Sequence, residues 1–331
     1  MVGRGAVRPA HRGRPVSRVA AIDCGTNSIR LLVADVPERG AHTDLARRME
    51  VVRLGQGVDA TGRLAPEAIE RTRVALAGYA GIARELGATD VRMAATSASR
   101  DASNRADFEE MVQATLGRLP DVITGREEAE LSFLGATASL DAAAAAHGAA
   151  PPRPPFLVVD IGGGSTEFVL GDDAGVRAAR SVDIGCVRLT ERHLHGDPPT
   201  VDQILRAEDD IRAALALVTA EVPVGEAATL VGVAGSVTTV AAIALGLPAY
   251  DAEAIHGSRI AVGDVRAVTA DLLAATRERR AAMPVMHPGR VDVIGAGALI
   301  LLVLMDEFGL GEVVVSEHDI LDGIALRLAR G

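Results

Sequence analysis

Residues 20–35 read AAIDCGTNSIRLLVAD, and residues 157–172 read LVVDIGGGSTEFVLGD. Each is an apolar β-run closed by an aspartate (Asp23 or Asp160), then a turn of glycine and hydroxyl residues, then a second β-run. A short turn of this kind aims several backbone N–H groups at one anion. Two copies in one chain predict two half-sites facing one cleft, with phosphate between them. The first turn is Gly25, Thr26, Asn27 and Ser28; the second is Gly162, Gly163, Gly164, Ser165 and Thr166. Three successive glycines permit positive φ and close approach of a ligand to the backbone.

Working outward from the first motif, the hydrophobic pattern predicts a strand over 43–54, a helix over 66–86 and a strand over 91–95. Helices follow over 106–116 and 126–140, with a short strand at 122–123 between them. Beyond the second motif come a helix over 201–218, a strand over 229–233, a turn at 234–236 and a helix over 238–245. Helices over 265–276 and 291–307, a strand over 313–316 and a closing helix over 320–329 complete the chain. Strands alternate with helices around both copies, which predicts α/β layers, and 331 residues suffice for two domains. The segment 141–155, DAAAAAHGAAPPRPP, is low in complexity and is expected to be an exposed loop inserted between helix and strand. Residues 1–17 are expected to form a disordered tail.

Composition narrows the function. The net charge is −10, aromatics make up 2% and tryptophan is absent. Broad attraction to nucleic acid or to an anionic membrane is therefore not expected, and base-stacking platforms are scarce. The 34 basic residues are all arginine. Without lysine there is no G-x-x-x-x-G-K-[ST] loop, but arginine's planar fork suits phosphate. Two cysteines, Cys24 and Cys186, and a start without an apolar signal core point to a reducing, cytoplasmic setting. Ala227–Tyr250 is broken by glycines and Ile294–Met305 is too short to span a bilayer, so both are expected to be buried elements. The eight histidines show no ligand spacing, so no histidine metal centre is expected, and no G-x-S-x-G is present.

Several residues carry candidate chemistry. Asp23 and Asp160 end their strands; each alone fits an Asx-turn, and as a matched pair they fit a metal or phosphate role. Glu167 sits in an apolar run, where a carboxylate is costly without a partner such as a metal or its water. Thr124 and Glu127 fit a T-x-x-E capping box, which gives Glu127 a structural task. Glu128 has no such task. It is the candidate general base for an attacking water, against the plainer reading that it complements the helix dipole. Arg100 follows a strand end among hydroxyl residues and suits an anion, or is a plain surface arginine. Arg30 and Arg188 are weaker candidates, and Cys24 reads as a small buried thiol.

The segments AIDCGTNSIRLLVAD, TSASRDASN, GREEAELSFLGA, VVDIGGGSTEFVLG, DIGCVRLTE, GVAGSVTTVAAI, GRVDVIGAGALIL and SEHDILDG resemble the exopolyphosphatase and guanosine pentaphosphate phosphohydrolase family. That family lies within the sugar-kinase, actin and heat-shock-chaperone ATPase superfamily. The resemblance runs from about residue 20 to the C-terminus, in the short, two-domain form. It implies two ribonuclease-H-like lobes flanking a cleft: 18–124 with 316–331, and 125–315. The first phosphate loop would be Asp23, Gly25, Thr26, Asn27 and Ser28, and the second Asp160 with Gly162 to Thr166. The catalytic base would lie in the Glu127–Glu128 pair, with Glu128 preferred. Asp160 and Glu167 would position Mg²⁺, and Arg100 would contact a substrate phosphate. The implied reaction is hydrolysis of the terminal phosphoanhydride of inorganic polyphosphate, by a homodimer as is common in the family; the net charge of −10 and the short form point to short chains. Guanosine pentaphosphate is the nearest alternative substrate. A sugar-kinase-like transferase and a non-catalytic sensor are the readings from other classes.

Overall fold

The computed structural model describes residues 16–37 and 42–330, so most of the expected tail lies outside the described residues. Val16 and Ser17, expected in that tail, instead open the first strand. The first half contains β1 (Val16–Cys24), β2 (Ser28–Pro37), β3 (Thr43–Val51), α1 (Val58–Thr61), α2 (Pro66–Glu85), β4 (Asp90–Ala95), α3 (Ser97–Asp101), α4 (Arg105–Leu116) and β5 (Asp121–Val122). Helices α5 (Gly125–Thr137) and α6 (Leu140–Ala146) follow, then β6 (Phe156–Ile161), β7 (Thr166–Asp172), β8 (Gly175–Val182), α7 (Cys186–His193) and α8 (Val201–Thr219). The remainder is β9 (Thr229–Val233), α9 (Ala234–Ala244), α10 (Ala252–Ile255), β10 (Arg259–Ala261), α11 (Val262–Ala274), α12 (Arg277–Ala281), α13 (Ile294–Glu307), β11 (Glu312–Val315) and α14 (Ile320–Arg330).

The two quoted motifs are equivalent hairpins in two sheets. The first sheet has the order β3-β2-β1-β4-β5, the second β10-β11-β9-β6-β7-β8. In the first, β1 pairs antiparallel with β2 and parallel with β4; in the second, β6 pairs antiparallel with β7 and parallel with β9. Reading β8-β7-β6-β9-β11 against β3-β2-β1-β4-β5 gives the same order and the same directions, the ribonuclease-H-like pattern twice over. Asp23 and Asp160 thus sit at the carboxyl ends of the two central strands, where open α/β sheets gather ligands.

Both central strands are buried on both faces, which explains their nearly unbroken apolar sequence. In the first sheet Ile22 and Leu31 face Leu76, Tyr79 and Phe108 of α2 and α4, while Ala21 and Leu32 face Ile320, Leu321 and Ile324 of α14. In the second, Leu157 and Val159 face α8, α9, α11 and α13, while Val158 and Val231 face Ala129 and Phe133 of α5. Helices α5 and α14 therefore each cover one sheet and pack against each other. Their contact is backbone to backbone. A Cβ added to Gly135 would overlap the carbonyl of Asp319, and one added to Gly323 would overlap the carbonyl of Leu131.

The first part of segment 141–155 departs from expectation, whereas 147–155 is the largely exposed loop expected. The alanine run belongs to α6, with Leu140, Ala143 and Ala144 buried. Alanine is the strongest helix former, and a small apolar face suffices to dock the helix. The predicted turn at 234–236 is instead the first turn of α9, entered through Ala234 at φ 68. Residues 97–101 form the short helix α3. Strand β8, at the edge of the second sheet, and helix α7, packed in the core beside that sheet, are not expected from the sequence.

Candidate active site

The two hairpin turns meet. Thr26 Oγ1 and Ser97 Oγ are 2.9 Å apart, and a Cβ on Gly164 would crowd both hydroxyls at 2.7 Å. A Cβ on Gly163 would meet the Thr26 side chain at 3.0 Å. None of Gly162, Gly163 and Gly164 adopts positive φ. The glycines serve close approach between loops rather than a left-handed turn, which corrects half of the expectation. Arg188 fastens the second loop, donating to the Gly164 carbonyl at 2.8 Å and pairing with Asp59 and Asp101.

Between the turns lies a cleft of about 100 Å³ whose walls include Asp23, Thr26, Glu128, Asp160, Ser165 and Ser236. Four carboxylates are buried at or beside it: Asp23 at 4% exposure, Glu128 at 8%, Asp160 at 7% and Glu167 at 1%. Asp23 Oδ2 accepts from Arg30 Nε at 3.0 Å and Nη2 at 2.6 Å, while its Oδ1 is buried with no partner. Arg30 also pairs with Asp319, at the start of α14. Ser132 of α5 donates to Asp160 Oδ2 at 2.5 Å, and Ser181 of β8 donates to Glu167 Oε1 at 2.8 Å.

Burial and mutual repulsion push these acids toward the neutral form. Asp23 is raised by burial, against the pull of Arg30. Asp160 is pushed up to about 6, by burial and then by Asp319. Glu167 is pushed up to about 8, by burial and then by Asp160. Glu128 is raised well above the usual range, by burial first and then by Glu167, with Arg100 opposing. The cluster is thus short of positive charge. These four carboxylates, with Asp23 Oδ1 unpartnered, make an oxygen donor set of the kind a hard divalent cation takes.

The predicted residues divide into those at the cleft and those that support it. Asp23, Gly25, Thr26, Asn27, Ser28, Glu128, Asp160, Gly162, Gly163 and Ser165 line it. Gly164 packs against Thr26 and Ser97, and Thr166 Oγ1 donates to the Ile184 carbonyl at 2.6 Å. Glu127 completes the capping box: its Oε2 accepts from Thr124 N at 2.9 Å, and Thr124 Oγ1 accepts from Glu127 N at 3.2 Å. It is exposed and does not line the cleft, whereas Glu128, one residue on, turns inward. Arg100 donates to Glu128 Oε2 at 3.3 Å and to the Ile123 carbonyl at 3.1 Å, so its nearest anion is the candidate base. Burial raises the Cys24 and Cys186 thiols, which keeps them protonated.

Sequence reasoning missed the far wall. Ala234, Gly235 and Ser236 at the N-terminus of α9 line the cleft, with Arg290. Arg290 donates to Thr239 Oγ1 at 3.0 Å and lies over Gly235, where any Cβ would overlap its guanidinium. An adjoining cavity of about 420 Å³ includes Arg30, Arg47, Arg48, Arg290, Tyr250 and Met286 in its walls. The signal that could have found this wall was G-S-V-T-T at 235–239 after a strand: a hydroxyl-rich helix start resembling the loops already identified.

The Ppx/GppA phosphatase family profile matches residues 32–330. Exopolyphosphatase 2 of Mycobacterium tuberculosis is 53% identical over 326 residues, covering 95% of this chain and 99% of the relative. Among solved structures, an exopolyphosphatase-like protein superimposes with a TM-score of 0.88 at 43% identity, covering 94% of this chain and 98% of the other. The PPX-GPPA enzyme of Aquifex aeolicus does so with a TM-score of 0.77 at 31% identity, covering 95% and 100%.

Proposed function

The chain belongs to the Ppx/GppA phosphatase family, and from that premise we propose that its cleft hydrolyses the terminal phosphoanhydride bond of inorganic polyphosphate, in short chains. The observation that carries this reading is the placement of Glu128: a buried carboxylate, outside the capping box that occupies Glu127 and paired with Arg100, facing the cleft into which both phosphate loops point. A kinase-like transfer would need a base presented to a sugar hydroxyl. Here the base opens onto a space of about 100 Å³, which suits a water and one phosphoryl group.

The residues divide the work. Backbone N–H groups of the two turns and the hydroxyls of Thr26 and Ser165 hold the terminal phosphoryl group. The N-terminus of α9 and Arg290 hold the next phosphate along the chain. Water attacks the terminal phosphorus, the bridging P–O bond breaks, and Glu128 accepts the water's proton. Arg100, 3.3 Å from Glu128, opposes the burial and the repulsion from Glu167 that push it toward the neutral form, and so favours the ionised form a base needs. Asp160 and Glu167, with the free Oδ1 of Asp23, would hold Mg²⁺, which supplies charge neutralisation on the transferred group. In the same proposal the enzyme is cytoplasmic and homodimeric, and 18–124 with 316–331 and 125–315 form its two lobes. No helix among the described residues is long and apolar enough to cross a membrane.

A second reading, the 5′-γ-phosphate of guanosine pentaphosphate, is supported by the adjoining cavity. Its volume of about 420 Å³ and its mix of Tyr250 and Met286 with arginines would accept a nucleoside. Phosphate release from short polyphosphate, long polyphosphate, guanosine pentaphosphate and ATP, with Mg²⁺ and with chelator, separates the readings. Turnover of short polyphosphate is expected, lost on chelation. Turnover of guanosine pentaphosphate alone makes the second reading the function, and binding without turnover makes the protein a sensor.

Arg290→Ala is expected to raise KM for the substrate about tenfold with little change in kcat, the size of one charge-assisted contact to a phosphate that does not react. Steady-state kinetics on polyphosphate check this. An unchanged KM removes Arg290 from the substrate path.

A further inference from the structure

Three segments far apart in the sequence bring two histidines and an aspartate together away from the cleft. One ligand atom from each of His42, His318 and Asp322 lies within 4.8 Å of the other two. His42 precedes β3, His318 lies between β11 and α14, and Asp322 is in the first turn of α14. His42 Nε2 is 3.1 Å from Asp322 Oδ1 and 3.1 Å from Asp44 Oδ1, so Asp44 is placed to serve as a fourth donor.

The surroundings match those of metal-bound imidazoles. Ser139 Oγ is 2.7 Å from His318 Nδ1, which fixes the ring and leaves Nε2 for an ion. Ser139 is itself held by His256 Nε2 at 3.1 Å, and His256 Nδ1 accepts from Glu317 N at 3.3 Å. A ligating histidine usually has such a partner on its other nitrogen. Asp322 is already in use by Arg47, whose Nη1 reaches Oδ2 at 3.3 Å and whose Nη2 pairs with Oδ1. Arg47 Nε also donates to Asp44 Oδ2 at 2.8 Å, and Asp319 N donates to Asp322 Oδ2 at 2.9 Å; the ion would displace Arg47 Nη2 from Asp322 Oδ1 and take Asp44 Oδ1, leaving Arg47 on the other oxygen of each carboxylate.

We propose that His42, His318 and Asp322, with Asp44, form a binding site for a borderline transition-metal ion of the Zn²⁺ type, separate from the carboxylate cleft. Two imidazoles and two carboxylates are a donor set for zinc, whereas the all-oxygen cleft selects magnesium. Zinc–ligand distances of about 2.0–2.2 Å require the side chains to draw in around the ion from the 4.8 Å within which their ligand atoms lie. The bound ion would tie His42 to the start of α14, next to Asp319, which holds Arg30 and through it Asp23.

The test is equilibrium dialysis of the chelator-stripped full chain against ZnCl₂ in excess Mg²⁺, with Co²⁺ substitution read in the visible spectrum. One Zn²⁺ per chain is expected, not displaced by Mg²⁺, with a four-coordinate Co²⁺ spectrum. His42→Gln and His318→Gln should each weaken binding at least about tenfold, while Glu167→Gln in the cleft should leave it unchanged. Zinc should raise the Tm of the wild type and not of the two histidine variants, by linkage. The site is overturned if the wild type binds no zinc, if both histidine variants bind as tightly as wild type, or if only Glu167→Gln loses the ion.

Discussion

Glu128→Gln is expected to lower kcat for phosphoanhydride hydrolysis by about two to four orders of magnitude, with KM little changed, because the amide cannot accept the proton that a general base takes. The substitution keeps shape and volume, so the cleft remains. It also removes a potential negative charge from a buried site already crowded by Glu167, Asp160 and Asp23. The Tm of the variant should therefore equal or exceed that of wild type, which separates loss of chemistry from loss of fold. The neighbouring Glu127→Gln is the control. It alters only the capping box, so it should cost at most about 1 kcal/mol of stability and leave kcat within a factor of a few. Equal losses in the two variants, or loss only in Glu127→Gln, would assign the base to the wrong glutamate.

Gly323→Ala should have the largest effect on stability, about 3 kcal/mol, the upper part of the range for overpacking a close contact. The added methyl would meet the carbonyl of Leu131, a backbone group inside α5 that cannot rotate away as a side-chain tip could. The two helices must separate, and each carries parts of the site. Ser132, beside Leu131, holds Asp160, and Asp319, one turn before Gly323, holds Arg30. Urea denaturation should show a lowered midpoint, and the folded fraction should show reduced kcat. A midpoint within experimental error of wild type would mean that α5 and α14 do not pack as closely as described. A surface glycine such as Gly78, where an added Cβ meets nothing, should tolerate alanine and gain slightly from better helix propensity.

Much of the fold was legible because its decisive elements are local. The two hairpins announce themselves by apolar runs broken by aspartate and glycine, and the helices by period and by the Thr124–Glu127 cap. What the sequence hid depended on tertiary context. Strand β8, GVRAARSV, mixes arginine with small residues because it is an edge strand, so its pattern is weak. The alanine run in α6 looked like filler, yet it docks by its small size. The glycines at 162–164 looked like positive-φ positions, but the other loop, not their own backbone, demands them.

The site divides in the same way. Asp23, Asp160 and the hydroxyl turns are strand-end features, visible one motif at a time. Glu128 was separated from Glu127 by the capping-box argument, which needs only four residues, and the structure places Glu127 in that box. Arg290 and the α9 N-terminus were missed because they come from segments on either side of a long helical stretch and meet the loops only after folding. The same holds for His42 and His318, which no spacing rule could connect.

The most direct test of the account is hydrolysis of short polyphosphate in ¹⁸O-labelled water with Mg²⁺, wild type beside Glu128→Gln, followed by ³¹P NMR. Attack by water on the terminal phosphorus predicts orthophosphate carrying one ¹⁸O from wild type, chains shortened from the end, and almost no release from the variant. Release of unlabelled orthophosphate, cleavage within the chain, or a variant as active as wild type would contradict it.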